Sequence, residues 1–303
     1  MINMIRKYAQ FRALLSDMDV KTDVPLKELT SFRIGGPAAF VVRPKTESEL
    51  CRALSAAEEA ELPLRILGNG TNVLAPDAGF PGLVLRLDAP FFPLLIDGCT
   101  VHAAAGESLA RAAHASVAAG LSGMEGLEGI PGTIGGACAM NAGAFGSEMK
   151  PILKRVRVYR GGEIADVTVR DENLGHRRSA FAAPSAIVLR AELVLAPDDG
   201  HAAERTAEFS RRRREKQPLA LPSAGSVFKR PAGHFAGGLI EQCGLKGLHI
   251  GGAEVSEKHA GFIVNMGGAT EADVRAVVAE IQRRVLLDTG VQLERELKYW
   301  DEV

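Results

Sequence analysis

Eight of the 33 glycines fall between Gly123 and Gly146. No regular helix or strand favours such a density, because glycine loses more backbone freedom on ordering than any other residue. The run Gly129-Ile-Pro-Gly132-Thr133-Ile-Gly135-Gly136-Ala-Cys-Ala-Met-Asn141-Ala-Gly143-Ala-Phe-Gly146 carries no charged side chain. An anion held there must meet backbone N–H groups, which glycine exposes with no Cβ in the way. Tight packing of backbone on backbone explains the same glycines, so both readings stand. A second cluster, Gly68-Asn69-Gly70-Thr71-Asn72, follows the apolar run Leu64-Arg-Ile-Leu67. A dinucleotide fingerprint would need a helix opening inside the glycines and an acidic residue about 20 positions on. Here Val73-Leu74-Ala75 runs into Pro76, which blocks a helix. These glycines make a turn of another kind.

Three further segments set polar residues among apolar or glycine-rich neighbours: Gly175-His176-Arg177-Arg178-Ser179, Pro222-Ser-Ala-Gly225-Ser226-Val-Phe228-Lys229 and Leu293-Glu-Arg-Glu296-Leu-Lys298. Each has an ordinary reading. Adjacent arginines form a solvated face, a serine after glycine sits in a turn, and a strand glutamate points to water. Ser226 is not a nucleophile elbow, since Ala224 and Phe228 stand where that motif needs glycine. Strand alternation places Glu294, Glu296 and Lys298 on one face and singles out none of them. Arg211-Arg-Arg-Arg-Glu-Lys216 could suggest RNA, but only 5% of residues are aromatic and no stacking platform accompanies it.

The elements that must position these residues follow from local signals. A short N-terminal helix leads to extended chain near Thr30–Ile34 and a strand at 39–43. Thr46-Glu-Ser-Glu49 is a capping box for a helix to about Glu59, and strands follow at 64–67 and 82–87. A second lobe, from about Val101 to Leu195, holds a strand at 101–105, a helix at 109–119, the glycine run, and strands near 156–159 and 187–195. A charged helix from Ala203 to about Lys216 leads to Pro218 and Pro222. The last helix runs from an N-cap at Thr270 to Asp288, with Val274, Val277, Val278, Ile281 and Val285 as its apolar stripe and Gly290 as its stop. A strand at 291–299 closes the chain. The expected architecture is α+β, in two lobes followed by a C-terminal α+β domain.

Whole-chain quantities bound the function. With 303 residues, 46% hydrophobic and 24% charged, the chain can bury a sizeable core. A net charge of −1 gives no global attraction for nucleic acid or an anionic membrane. Cys51, Cys99, Cys138 and Cys243 form no C-x-x-C pair, so neither a zinc site nor a redox dithiol is expected. The first residues lack the apolar core of a signal peptide, and no stretch approaches the ~18 apolar residues of a membrane span. A reduced, cytoplasmic setting is expected.

Several runs together carry a family resemblance. Thr30-Ser-Phe-Arg-Ile-Gly-Gly-Pro37, Leu67-Gly-Asn-Gly-Thr-Asn-Val-Leu74 and Gly126-Leu-Glu-Gly-Ile-Pro-Gly-Thr-Ile-Gly-Gly136 resemble the FAD-binding motifs of the MurB family, UDP-N-acetylenolpyruvoylglucosamine reductases. Lys246-Gly-Leu-His-Ile-Gly-Gly-Ala253 and Val255-Ser-Glu-Lys-His259-Ala-Gly-Phe-Ile-Val-Asn265 resemble that family's substrate domain. The order is preserved from about Leu29 to Trp300. The resemblance implies an FAD-binding domain of the vanillyl-alcohol-oxidase (PCMH) type over 29–200, in lobes of about 29–90 and 91–200. An N-terminal helical segment, 1–28, precedes it, and a UDP-sugar-binding domain, 201–303, follows.

The resemblance further implies FAD contacts at Gly68, Asn69, Gly70, Thr71, Asn72, Gly132, Thr133, Gly135, Gly136, Asn141 and Gly143. NADPH is the implied co-substrate, UDP-N-acetylglucosamine enolpyruvate the substrate, and no metal is involved. Catalysis would fall to Arg177, Ser226 and Glu296. Reduced flavin would give hydride to the terminal vinyl carbon, leaving enolate-like charge that Arg177 and a protonated Glu296 would stabilise. Burial would favour that protonation, and Ser226 would supply the proton to the adjacent carbon, with Lys229 a candidate to ready its hydroxyl. Arg213, Lys216, Lys229 and Lys298 are cations available to the diphosphate, and His259 is a further substrate contact. The protein is expected to act as a monomer, with no nucleic-acid or membrane partner.

Two departures stand out. The family's Phe-Gly-Tyr-Arg is Leu174-Gly-His176-Arg177 here, with Arg178 beside it, and the longer tyrosine-bearing loop of some members has no counterpart between Ser226 and Cys243. Another flavin oxidase of the same fold, or a non-catalytic flavin or UDP-sugar binder, would keep the glycine loops without needing Arg177, Ser226 and Glu296 together.

Overall fold

The computed structural model describes residues 2–182 and 186–302. Met1 and Val303, the ends of the expected outer segments, lie outside them. The chain divides into two compact units, one built from residues 1–24, 38–69 and 81–211 and the other from 25–37, 70–80 and 212–303. No helix among the described residues is long and apolar enough to cross a membrane.

Among the described residues, the first unit holds two sheets of more than two strands. One has four strands in the order Val20–Pro25, Pro37–Val42, Phe80–Arg86, Leu64–Leu67, the last two pairing in parallel. The helix Glu47–Glu59 covers it because its apolar residues recur at helical spacing: Leu50, Ala53, Leu54 and Ala57 pack with Phe40, Val42, Leu83 and Leu85. Thr46 caps this helix as its sequence predicts, its hydroxyl accepting the Glu49 N–H at 3.1 Å. Glu49 reaches back one residue further than the standard box, to the Lys45 N–H at 2.7 Å. The other sheet is five-stranded and antiparallel, in the order Glu163–Thr168, Leu153–Arg160, Ile187–Val194, Thr100–Ala104, Leu95–Asp97. The helices Leu109–Ala118 and Ile134–Met140 share its core, where Val101, Ala105, Leu109, Ile134, Val156 and Ala191 are almost wholly buried.

In the second unit an antiparallel sheet, ordered Ser223–Ser226, Phe262–Asn265, Ala253–Val255, His249–Ile250, packs on the helix Glu271–Thr289. The five expected stripe residues of that helix are all buried, each contributing about 1.5–3 kcal/mol of apolar transfer. Thr270 and Asp273 form its capping box, and Gly290 ends it at φ +72°. The terminal strand expected over 291–299 is regular only at Lys298–Tyr299, which pairs in parallel with Val73–Leu74. From 294 to 297 the chain instead follows the 227–229 segment: Lys229 N–H donates to Glu294 O at 2.8 Å, and the Glu296 and Leu297 N–H groups share Val227 O at 2.8 and 3.1 Å. Two donors on one carbonyl break the two-residue ladder, so strand alternation does not govern Glu296.

Candidate active site

In the first unit the two glycine loops face each other. Asn69 Nδ2 donates to Pro131 O at 3.0 Å, and a Cβ at Gly68 would lie 2.6 Å from Thr133 Oγ1. Thr133 is the N-cap of Ile134–Met140, its hydroxyl accepting the Gly136 N–H at 3.2 Å. The Ile134 N–H donates to Glu107 O at 2.9 Å and the Gly135 N–H to Ala105 O at 2.8 Å. These three N–H groups are bonded inside the protein, which favours the packing reading of the run at 134–136. Packing explains Gly135, where a Cβ would sit 2.9 Å from that of Ala105. What remains is shape: Gly136 is exposed, and Gly68 and Gly132 are half-buried backbone without charge. That bare surface between apposed loops fits a large planar or extended group such as FAD, which a side chain at these positions would displace.

Gly143, in the same run, pairs with Glu148 in a short hairpin. Arg177 is the second of two residues turning the Leu174–Gly175/Arg178–Ser179 hairpin, held at φ +52°. Its Nη2 donates to Gly143 O at 2.9 Å and its Nη1 to Asn141 O at 3.3 Å. Asn141 is buried, and its side-chain amide bonds Glu148, Lys150 and Gly175. His176, which replaces the family's tyrosine, is exposed.

In the second unit Ser31 ties two loops together, its hydroxyl donating to Ser223 O at 2.6 Å and its N–H to Gly70 O at 3.1 Å. Gly70 sits at φ +64°, where a Cβ would be 2.3 Å from Leu29 O, so only glycine fits. Thr71 is half-buried. Asn72 Nδ2 donates to Glu296 O at 3.4 Å, and its own carbonyl accepts the Lys298 N–H at 3.2 Å. The bond from Glu296 N–H to Val227 O places the Glu296 segment beside the residue that follows Ser226. Ser226 and Glu296, 70 positions apart in the chain, therefore sit on neighbouring segments, both half-buried. Ser226 Oγ donates to Phe228 O at 3.3 Å. Lys229 Nζ is bonded to the Glu294 carboxylate.

His259 is close to Ser226. Its Nδ1 accepts the Gly261 N–H at 3.1 Å, and a Cβ built on Gly261 would be 3.0 Å from His259 Cε1 and 3.5 Å from Ser226 Oγ. Burial pushes the His259 imidazole below its ordinary pKa, and the charges of Lys246 and Lys216 push the same way. With Nδ1 accepting, the neutral ring carries its hydrogen on Nε2. Lys216 is exposed at the end of the helix Ala202–Lys216, whereas Arg213 in the same turn is buried. Lys229 and Lys298 line a cleft of about 900 Å³ with Arg275, Arg295 and Tyr299, which does not include Ser226 or Glu296. Arg275 and Arg295 both stack on the Tyr299 ring, at 3.9 and 3.4 Å from its centroid. Arg213 and Lys216 are not among the residues lining that cleft.

The sequence reading missed three residues. Ser31 lay inside the matched Thr30–Pro37 run, where its hydroxyl was the available signal. Glu148 and Lys150 carry no signal, because the fold alone returns them to Asn141.

A family model described as UDP-N-acetylenolpyruvoylglucosamine reductase, C-terminal domain, matches residues 217–300, and one described as FAD binding domain matches 38–167. The chain is 42% identical over 296 residues to the UDP-N-acetylenolpyruvoylglucosamine reductase of Alkaliphilus oremlandii, covering 97% of each. It is 42% identical to that of Clostridioides difficile, covering 96% of each. Among solved structures, the UDP-N-acetylenolpyruvylglucosamine reductase (MurB) of Thermus caldophilus is similar at a TM-score of 0.78 and 37% identity, over 93% of this chain and 99% of that one.

Proposed function

This chain belongs to the UDP-N-acetylenolpyruvoylglucosamine reductase family, and on that premise we propose that it reduces the enolpyruvyl group of UDP-N-acetylglucosamine enolpyruvate to the lactyl ether. The product is UDP-N-acetylmuramate, a precursor of peptidoglycan. FAD is the cofactor and NADPH the co-substrate. When bound, the flavin supplies the hydride carrier. The protein supplies position, charge and the proton.

The observation that supports this reading best is the backbone join of the 226–229 and 294–297 segments, which brings Ser226 and Glu296 onto neighbouring stretches of one unit. Hydride added to the terminal vinyl carbon leaves negative charge shared between the adjacent carbon and the carboxylate it bears. Arg177 is assigned to meet that charge as it forms. Glu296 is assigned as a hydrogen-bonding partner for the same carboxylate. Ser226 gives its proton to the adjacent carbon, so one hydride and one proton complete the reduction of the double bond. Phe228 O orients the hydroxyl, and His259 flanks the same Gly261 position that Ser226 does.

Cofactor contacts are assigned to Gly68, Asn69, Gly70, Thr71, Asn72, Gly132, Thr133, Gly135, Gly136 and Gly143. The substrate's diphosphate is assigned to Arg213, Lys216, Lys229 and Lys298. The assigned division is a helical segment 1–28, an FAD-binding domain 29–200 and a UDP-sugar domain 201–303, acting as a cytoplasmic monomer. The test is turnover by the purified holoenzyme: one NADPH consumed for each UDP-N-acetylmuramate identified by mass. NADPH oxidation that ignores the enolpyruvyl substrate and tracks oxygen instead would assign the chain to another flavoprotein activity.

A further inference from the structure

We propose that Asn141 is a positioning residue that aims Arg177, and not a contact to the cofactor; the inference rests on the reading of Arg177 as the cation that meets substrate charge. Asn141 is 1% exposed. Both hydrogens of its side-chain amide are in use, one on Glu148 Oε1 and one on Gly175 O, each at 2.9 Å. Its Oδ1 accepts the Lys150 N–H, also at 2.9 Å. A buried amide so engaged has no donor left for a ligand.

The same residue grips the Arg177 hairpin twice. Through Nδ2 it fixes Gly175, two residues before Arg177, and through its carbonyl it accepts from Arg177 Nη1 at 3.3 Å. Glu148, held by the other Nδ2 hydrogen, pairs with Gly143, whose carbonyl takes Arg177 Nη2 at 2.9 Å. The bonds close a ring of Asn141, Glu148, Gly143, Arg177 and Gly175. Carbonyl acceptors orient a guanidinium by their dipoles and leave its formal charge in place. Both ends of the ring are strained, with Asn141 at φ +43° and Arg177 at φ +52°. Such backbone persists only where the surroundings enforce it, and it is found disproportionately at functional sites. Asparagine meets both demands at 141, since it tolerates the left-handed conformation and carries donors and an acceptor together.

The test separates the two half-reactions in the FAD-loaded enzyme. Asn141→Asp tolerates the left-handed backbone and keeps the acceptor for Lys150, but loses both donors. Reoxidation of reduced flavin by the enolpyruvyl substrate should slow about 10–100-fold, the scale of an ångström of misplacement. Reduction by NADPH and the amount of flavin retained should be little changed. Amide hydrogen exchange should quicken across 174–179 and stay unchanged across 101–105. The double variant N141D/R177A should be no slower than R177A alone, because two changes to one device do not add. Asn141→Gly, which keeps the backbone conformation without any side chain, should repeat the pattern if the aspartate variant folds poorly. Additive losses, or normal reoxidation in both Asn141 variants beside a slow R177A, would overturn the inference. Loss of flavin with unchanged exchange over 174–179 would also overturn it and return Asn141 to the cofactor. A normal R177A would remove the reading of Arg177 itself, and the inference with it.

Discussion

Ser226 shows how much a single residue's neighbours decide. A serine hydroxyl is a weak acid, and here it is oriented by Phe228 O while His259 stands across Gly261. Ser226→Ala should slow substrate-driven flavin reoxidation by about 10²–10⁴-fold, the usual range for a lost proton donor, while NADPH still reduces the flavin at its normal rate. Stopped-flow absorbance resolves the two. His259 makes a separate prediction. Its folded pKa lies below the ordinary 6.5 of the unfolded chain, so on acidification the unfolded state takes up a proton first. The stability from the neutral, buried ring is complete above pH 6.5, declines as pH falls below that value, and is lost once pH passes the folded pKa. Melting temperature measured against pH should therefore fall less steeply below 6.5 in His259→Gln than in the parent. Little of this was legible in the residues alone. Ser226 stood out only through the family resemblance, and the pairing of Lys229 with Glu294 is set by the fold and not by any local signal.

At the scale of elements, the local rules carry furthest where one signal decides. Thr46, Thr270 and Gly290 end their helices as capping chemistry requires, and the stripe of Glu271–Thr289 is buried as its spacing demands. Ile281→Ala in that stripe should cost about 2–5 kcal/mol in denaturant unfolding, with flavin content following stability. The terminal segment was misjudged because alternation is a rule for regular ladders, and Val227 O accepts two N–H groups there. The glycine loops were half legible: their density marked a special backbone, but composition cannot separate an amide offered to a ligand from one already bonded. Gly70 tests that distinction. Gly70→Ala combines φ +64° with a contact of 2.3 Å to Leu29 O, and should destabilise by about 2 kcal/mol or more. Gly290→Ala has a similar φ of +72° with open space around it and should cost only about 1 kcal/mol, so thermal unfolding of the pair isolates the close approach.

At the scale of the molecule, the assigned residues are divided between the two units in the chain. The first holds the apposed glycine loops and the Arg177 hairpin, the second Ser226, Glu296 and His259. The Gly68–Asn72 loop belongs to both, since it leaves the first unit after Asn69 and enters the second at Gly70. Ligand binding to the folded state alone stabilises it by mass action, so free FAD at about 100 times its dissociation constant should add about 2.7 kcal/mol, read as a raised melting temperature of the deflavinated protein. The proposed function stands or falls on transfer from NADPH through the flavin to one particular substrate. It is tested most directly by reducing the purified holoenzyme with one equivalent of NADPH in the absence of oxygen, then adding UDP-N-acetylglucosamine enolpyruvate and following the flavin absorbance. Rapid return of the oxidised spectrum is expected, with formation of one UDP-N-acetylmuramate per flavin. A reduced flavin that ignores this substrate and is reoxidised only by oxygen or another acceptor would contradict it.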